Sequence, residues 1–199
     1  DEAGQIQAIA ALVQVGPRAV LPLCEALKSS TALMRLNAAA ALTHIDDARA
    51  IPAMARLAQL DDQESVKEVA RRFLKKHSVK GKAAELYLAQ SRSYLASGVM
   101  PGAFSDVVWT LKSDKLEPKD VPSLVYAAEL SKAAANDAVQ VDPASAEARS
   151  VLAQVNLAEA NLIETSIAQG DASAKALEPL AAEFKMADRK STRLNSSHS

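Results

Sequence analysis

The sequence predicts an all-α protein, an α-solenoid of stacked helical pairs, on three observations. Composition is the first: the 199 residues are 49% hydrophobic but 4% aromatic, with only 6 glycines, a balance that favours helix nearly throughout. Periodicity is the second. Met34, Ala38, Ala41, Leu42 and Ile45 recur at helical spacing, and Val66, Val69, Ala70, Phe73 and Leu74 do so again. The third is that the pattern itself repeats, so that each pair needs a neighbour to cover its apolar face.

The repeat is explicit in the first 80 residues. "ALVQVGPRAVLPLCEAL" (Ala11 to Leu27) aligns with "ALTHIDDARAIPAMARL" (Ala41 to Leu57) at an offset of 30. "MRLNAAAAL" aligns with "VKEVARRFL" at an offset of 32, the two extra residues falling in the polar turn "LDDQES", where insertion is cheap. The turns "VGP", "IDD" and "LDD" divide the helices. Asp47 and Asp62 are expected as N-caps, accepting amide hydrogens of a first helical turn. Pro52 is expected about five residues into its helix, where it removes a hydrogen bond and bends the chain.

These features together resemble HEAT repeats of the short, bacterial, phycobilisome-lyase-like kind. The shared elements are paired helices of about 30 residues, a proline early in the first, and "[VM]-[RK]-x-x-A-x-x-[AF]-L" opening the second. The resemblance covers residues 4–78. It implies a ladder of charges between repeats, in which Asp61 or Asp62 would stand with Arg35 and Lys67.

After "KKHSVKGK" the spacing changes. A hinge is expected near residues 78–82, separating HEAT-like repeats over 1–79 from a tetratricopeptide-like helical region over 80–187. "AAELYLAQSRSYLASG" (Ala83 to Gly98) reads as one helix ended by Gly98. "PGAFSDVVWTLKS" reads as a short helix with Trp109 as a core anchor, and "KLEPKDVPS" as a connection. The stretch from Ser123 to Gly170 reads as two long helices meeting at "VDP", with Asp142 as N-cap and Pro143 as the first helical residue. That joint, with Ala138, Pro143, Leu152 and Ala153, resembles the junction between consecutive tetratricopeptide repeats. "ASAKALEPLAAEF" closes the helical part.

From Asp188 the pattern stops. "DRKSTRLNSSH" resembles the translation, in one frame, of a common short-read sequencing adapter, and residues 188–199 are set aside as a non-native tail. Their one acid and three bases (Asp188, Arg189, Lys190, Arg193) removed, the formal charge moves from −1 to −3. The chain also begins "DEAGQIQAIAALV", without Met and inside an apparent helix. It reads as a metagenomic fragment of a bacterial protein cut at both ends, with its localisation open between cytoplasm and periplasm. No apolar run is expected to reach the ~20 residues that span a bilayer.

Reactive chemistry is sparse. His44 and His77 lie at helix ends, without a second His or Cys at ligand spacing, and are assigned to the helix dipole. Asp46, Asp47, Asp61, Asp62 and Glu64 crowd into turns, where capping is the expected role and acid–base catalysis is not. Cys24, in "VLPLCEAL", is expected as a small core residue. No phosphate loop, nucleophile elbow or Cys-His-Asn pattern occurs. No catalytic, cofactor-binding or metal-ligating residue is therefore assigned, and the chain is read as not an enzyme.

One charged feature remains. Lys67, Arg71, Arg72, Lys75, Lys76, Lys80 and Lys82 are interrupted only by Glu68. They form either a solvated helix face or a docking patch for an acidic protein or for nucleic-acid phosphates. A pI near 6.4 gives no global case for nucleic acid, and aromatic residues for base stacking are missing there. The expected function is that of a scaffold holding a protein or peptide on the face built from the second helices, through Arg35, Asn37, Lys67, Arg71 and Lys75. The alternative implied by the resemblance is a lyase or isomerase acting on a bilin chromophore.

Overall fold

The computed structural model describes residues 2–97 and 107–184. Its first six helices alternate between two layers. α1 (Glu2–Val15), α3 (Ala32–Ile45) and α5 (Glu64–Lys76) lie side by side, while α2 (Val20–Ala26), α4 (Ile51–Leu60) and α6 (Ala83–Ser97) follow one another behind them. This is the stacked-pair architecture of an α-solenoid, as the repeat predicts. Ala38, Ala39 and Ala41 are buried where α3 meets its neighbours, and methyl side chains there let the helices approach closely. Leu42, Met54, Leu57 and Phe73 fill the space between the layers; complete burial of Phe73 alone is worth about 2–3 kcal/mol in transfer from water.

The turns carry most of the polar organisation. Asp47 is an N-cap as expected: its carboxylate accepts from the Arg49 amide at 2.9 Å. It also holds the Arg49 guanidinium, which donates to the Pro17 carbonyl at 2.8 Å and so ties one inter-repeat turn to the one before. Asp47→Ala should therefore cost about 1 kcal/mol, seen as a lower urea midpoint at unchanged m-value. Asp62 is not the cap of α5. Gln63 stands at the N-cap without a side-chain capping bond, and Asp61, held over the turn by Arg35, accepts from the Gln63 amide at 2.9 Å in an Asx turn just ahead of it. Pro52 does not sit deep in a helix either. A 3-10 turn over Ala48–Ala50 precedes α4, which places Pro52 in the first α-helical turn, where its missing N–H leaves nothing unsatisfied.

Between α6 and α7 the expected short helix is replaced by a β-hairpin. β1 (Val107–Lys112) pairs antiparallel with β2 (Lys115–Asp120), Trp109 opposite Pro118 and Lys112 opposite Lys115. Val107, Val108, Trp109 and Thr110 are β-branched or aromatic and prefer a pleated surface. Ser113 and Asp114 both have positive φ, 49° and 59°, as a two-residue turn matching the strand twist requires. Trp109 is half-buried on this strand instead of anchoring a helix. The hairpin packs on α2 and α7, and its tip reaches the α2–α3 turn. There Asp114 accepts from the Ser30 amide at 2.9 Å and from the Ser30 hydroxyl. Those two bonds hold the Asp114 carboxyl below its ordinary range.

α7 (Ser123–Val141) lies along α6, α8 (Ala146–Ala168) along α7, and α9 (Ala172–Lys175) on α8; residues 178–184 are again helical. Ser91 and Ser131, buried where α6 and α7 touch, bond to each other at 2.9 Å, and the Ser131 hydroxyl donates to the Ser91 carbonyl at 2.8 Å. The break between α7 and α8 falls at "VDPAS", but Ser145 is the N-cap, accepting from the Ala148 amide at 3.1 Å. Asp142 accepts from Ala144 and shapes the turn that contains Pro143. A single apolar cluster runs from Ala19 to Ala181 through both halves. Gly98, expected to end α6, and the tail from Asp188 lie outside the described residues.

The expectation that no run is apolar enough to span a bilayer needs correction. Ala3–Ala26, with mean hydropathy 1.4, is long and apolar enough by length and composition, and only 17% of its most apolar window is buried. In the fold it is broken by Gly16, whose φ of +68° starts the 3-10 turn Gly16–Ala19. No other helix among the described residues is long and apolar enough to cross a membrane.

Candidate functional site

α1, α3 and α5 present one face, and its character changes from helix to helix. α1 carries no charged side chain from Ala3 to Val15 and is apolar nearly all round, a pattern suited to burial on more than one side. In the fold only one side is covered. Ile6 is 62% exposed and Val15 51%, and Leu33 at the start of α3 is 48% exposed. Between α1 and α3 lies a groove of about 410 Å³ whose walls include Ile9, Leu12, Met34, Asn37 and Ala38, with Leu116 of the hairpin closing one end. Asn37, with Gln5 and Thr31, supplies the polar side chains of a mostly apolar lining.

The five residues expected to bind a partner are dispersed over this face and beneath it. Asn37 lines the groove. Arg35, two residues earlier and so on another side of α3, is turned inward: its side chain is 11% exposed and its guanidinium forks onto Asp61, Nε to Oδ2 at 2.7 Å and Nη2 to Oδ1 at 3.0 Å. It also reaches Asp62 and donates to the Ser29 and Ser30 carbonyls at 3.0 and 3.1 Å. The planar guanidinium thus spends its donors on the turns at both ends of one repeat, so Arg35 is a brace and not a contact surface. Burial works against the Asp61 charge, but the Arg35 and Gln63 hydrogen bonds more than offset it and hold that carboxyl below its ordinary range. Lys67 is half-buried on the flank of α5 and does not join this ladder. Arg71 is exposed and pairs with Glu64, and Lys75 is exposed beside it.

The basic run forms the outer face of α5 and continues into the loop that follows. Arg71, Arg72, Lys75, Lys76, Lys80 and Lys82 are all exposed. Lys76 reaches Asp46 at 2.6 Å, and His77 meets the same carboxylate at 3.0 Å while its ring rests 4.5 Å from Phe73. Among the described residues, Lys67, Arg72, Lys75, Lys80 and Lys82 have no ion pair. No group of three or more His, Cys, Asp or Glu suited to a metal ion occurs among the described residues.

A second, inner seam joins the repeats to α7. Lys28 sits between Glu25 and Asp137, 2.7 Å from each. Burial raises the pKa of both carboxyls, against the pull of the Lys28 charge. Next to them is a cavity of about 50 Å³ lined in part by Cys24, Arg49, Tyr87, Tyr94 and Trp109. That volume suits water and not an organic substrate. Burial pushes the Cys24 thiol up to about 12, so at neutral pH it is no nucleophile.

The sequence showed the basic run but not the groove, in whose lining Asn37 falls. Its walls were legible only as core residues. The signal available was the absence of charge around the whole circumference of α1. A family model described as HEAT repeats matches residues 1–75. No curated protein matches the chain, and no solved structure does. HEAT repeats commonly serve as protein-interaction scaffolds and are typically non-catalytic. Alternating helices in two layers, the Arg35–Asp61 brace between repeats and the match agree: residues 1–75 are similar to HEAT repeats.

Proposed function

We propose that the chain is a non-catalytic scaffold that binds a protein partner by seating an apolar peptide or helix of that partner between α1 and α3. The groove of about 410 Å³, lined mostly by apolar side chains with exposed Leu33 among them, supports this reading, as does Ile6, exposed on the same helix α1. Covering such side chains with a partner's leucines or aromatics returns about 25 cal/mol for each Å² of apolar surface removed from water, against the cost of association. Asn37 supplies one polar contact to set the register of the bound segment. Arg35 contributes indirectly, by holding α3 at its spacing from the next repeat.

Selection of peptides from a displayed random library against the full chain tests it. Enriched sequences should carry apolar residues at i, i+3 or i+4 and should lose at least about tenfold in affinity on Leu33→Asp, a substitution at an exposed rim position. Failure to enrich any sequence, or binding indifferent to both Leu33→Asp and Ile6→Asp, would overturn the reading.

A further inference from the structure

We infer that α5 extends the same face into a dock for acidic side chains, so that the partner segment carries an acidic end beside its apolar one. The inference rests on the scaffold reading and adds the partner's charge. Residues 67–82 hold seven cations and one anion. A chain of net −1 therefore carries +6 in sixteen residues and −7 in the rest.

The helix dipole accounts for only part of this. It favours cations within the last turn, which covers Lys75 and Lys76, but not Arg71 and Arg72 a turn earlier or Lys80 and Lys82 beyond the helix. Internal pairing does not account for it either. The buried cations Lys28, Arg35, Arg49 and Lys132 each meet a carboxylate of the chain, whereas Arg72, Lys75, Lys80 and Lys82 meet none among the described residues. On α5 the buried side is Val66, Ala70 and Phe73, so Arg71 and Lys75 stand on the crest one turn apart. Arg72 and Lys76 form a second such pair on the flank that meets α3, where Lys76 reaches Asp46 of the α3 end. α5 packs on α3 and α3 on α1, so one and a half interhelical steps of 8–10 Å put the axis of α5 about 12–15 Å to the side of the apolar groove. About four or five extended residues cross that lateral distance.

An acidic peptide fits these observations better than a nucleic acid does. A long polyanion would meet the −7 of the remaining chain, and Phe73 lies buried, leaving α5 without a ring for base stacking. A short segment with a few carboxylates meets only the cations, and as a rim interaction it acts on association rate and partner choice more than on total affinity.

The test uses the full chain and a fluorescein-labelled peptide that joins a leucine-rich half to a glutamate-rich half, read by anisotropy. Replacing its glutamates with glutamine should weaken binding about tenfold at low salt, and the Arg72→Glu/Lys75→Glu double variant should do the same to the acidic peptide. Both losses should shrink at about 0.5 M salt, where exposed charges are screened. Arg72→Gln/Lys75→Gln, which introduces no new repulsion, should lose about threefold, and Lys175→Glu, on α9, should lose nothing. Unchanged helical circular dichroism keeps the comparison to folded protein. Equal affinity for the two peptides, or indifference to both α5 double variants, overturns the inference. The scaffold reading then still stands if Leu33→Asp weakens both peptides, and falls if it weakens neither. Tighter binding of a 20-base-pair DNA duplex than of the acidic peptide also overturns it, in favour of phosphate recognition.

Discussion

Asp61→Ala is expected to destabilise the fold by about 3 kcal/mol, because it removes the carboxylate that neutralises a buried guanidinium. The Asp61 side chain is 1% exposed, and Arg35 cannot turn to water without leaving the Ser29 and Ser30 carbonyls. Asp62, which is exposed, retains only part of the charge pairing. Replacing both partners with apolar residues, Arg35→Met with Asp61→Leu, should recover most of the loss, since neither charge is then stranded. The pH dependence follows from the depressed Asp61 pKa. The unfolded carboxyl takes up a proton before the folded one, so the pair's contribution is complete above the ordinary aspartate range. It is lost as pH falls through the depressed value. Urea unfolding of wild type and Asp61→Ala should thus converge in acid; a constant gap down to low pH would show that the ion pair is not what the substitution removes. Because Arg35 ties the start of α3 to a turn 26 residues further along the chain, the peptide groove should weaken along with the fold.

A comparable loss, with the opposite pH dependence, is expected for Lys132→Met. Lys132 on α7 lies 2.8 Å from both Glu129 and Glu159, with its ammonium 4.6 Å from the centre of the Phe184 ring. Glu159 is 0% exposed, and its Oε1 has no hydrogen-bond partner. Burial raises its pKa, and Lys132 restrains the rise. A carboxyl raised in the folded state keeps its proton at pH values where the unfolded chain has released it. Its contribution is therefore most favourable at and below the ordinary glutamate range and declines as pH rises through the raised value. Lys132→Met lifts that value further and should cost about 3 kcal/mol near pH 8 but distinctly less near pH 5, where Glu159 can take up a proton. Lys132→Met with Glu159→Leu should restore the stability and flatten the profile. An equal cost at both pH values would show that Glu159 is not the group left uncompensated.

The two clusters differ in how far they could be read beforehand. The resemblance put Arg35 and Lys67 in a ladder with Asp61 or Asp62; the fold buries Asp61 against Arg35, keeps Asp62 exposed at its edge and leaves Lys67 out. Lys132 and Glu159 belong to helices without a clear repeat, and nothing in their spacing pairs them; α7 and α8 had to be packed first. The N-caps show the same division on a smaller scale. Asp47 caps as expected, while Asp62 gives way to Gln63 and Asp142 to Ser145. In each case adjacent polar residues could serve, and a neighbouring side chain or the turn selected one. The hairpin was missed for another reason. "VVWTL" is a strand-forming run, but its turn is "SD" and not the Asn-Gly that marks such turns most plainly, and alanine-rich surroundings argued for helix.

By itself the sequence determined the helical class, the thirty-residue period and the concentration of positive charge on one helix. These are properties of composition and short-range order, set by apolar spacing along a helix and by which residues satisfy a turn. Tertiary structure alone decided that Arg35 lies inside, that the hairpin tip bonds to the α2–α3 turn, and that α1 and α3 leave a groove between them. Such features depend on which faces meet across long separations in the chain. The same leucine is a core residue or a binding surface according to whether another helix covers it.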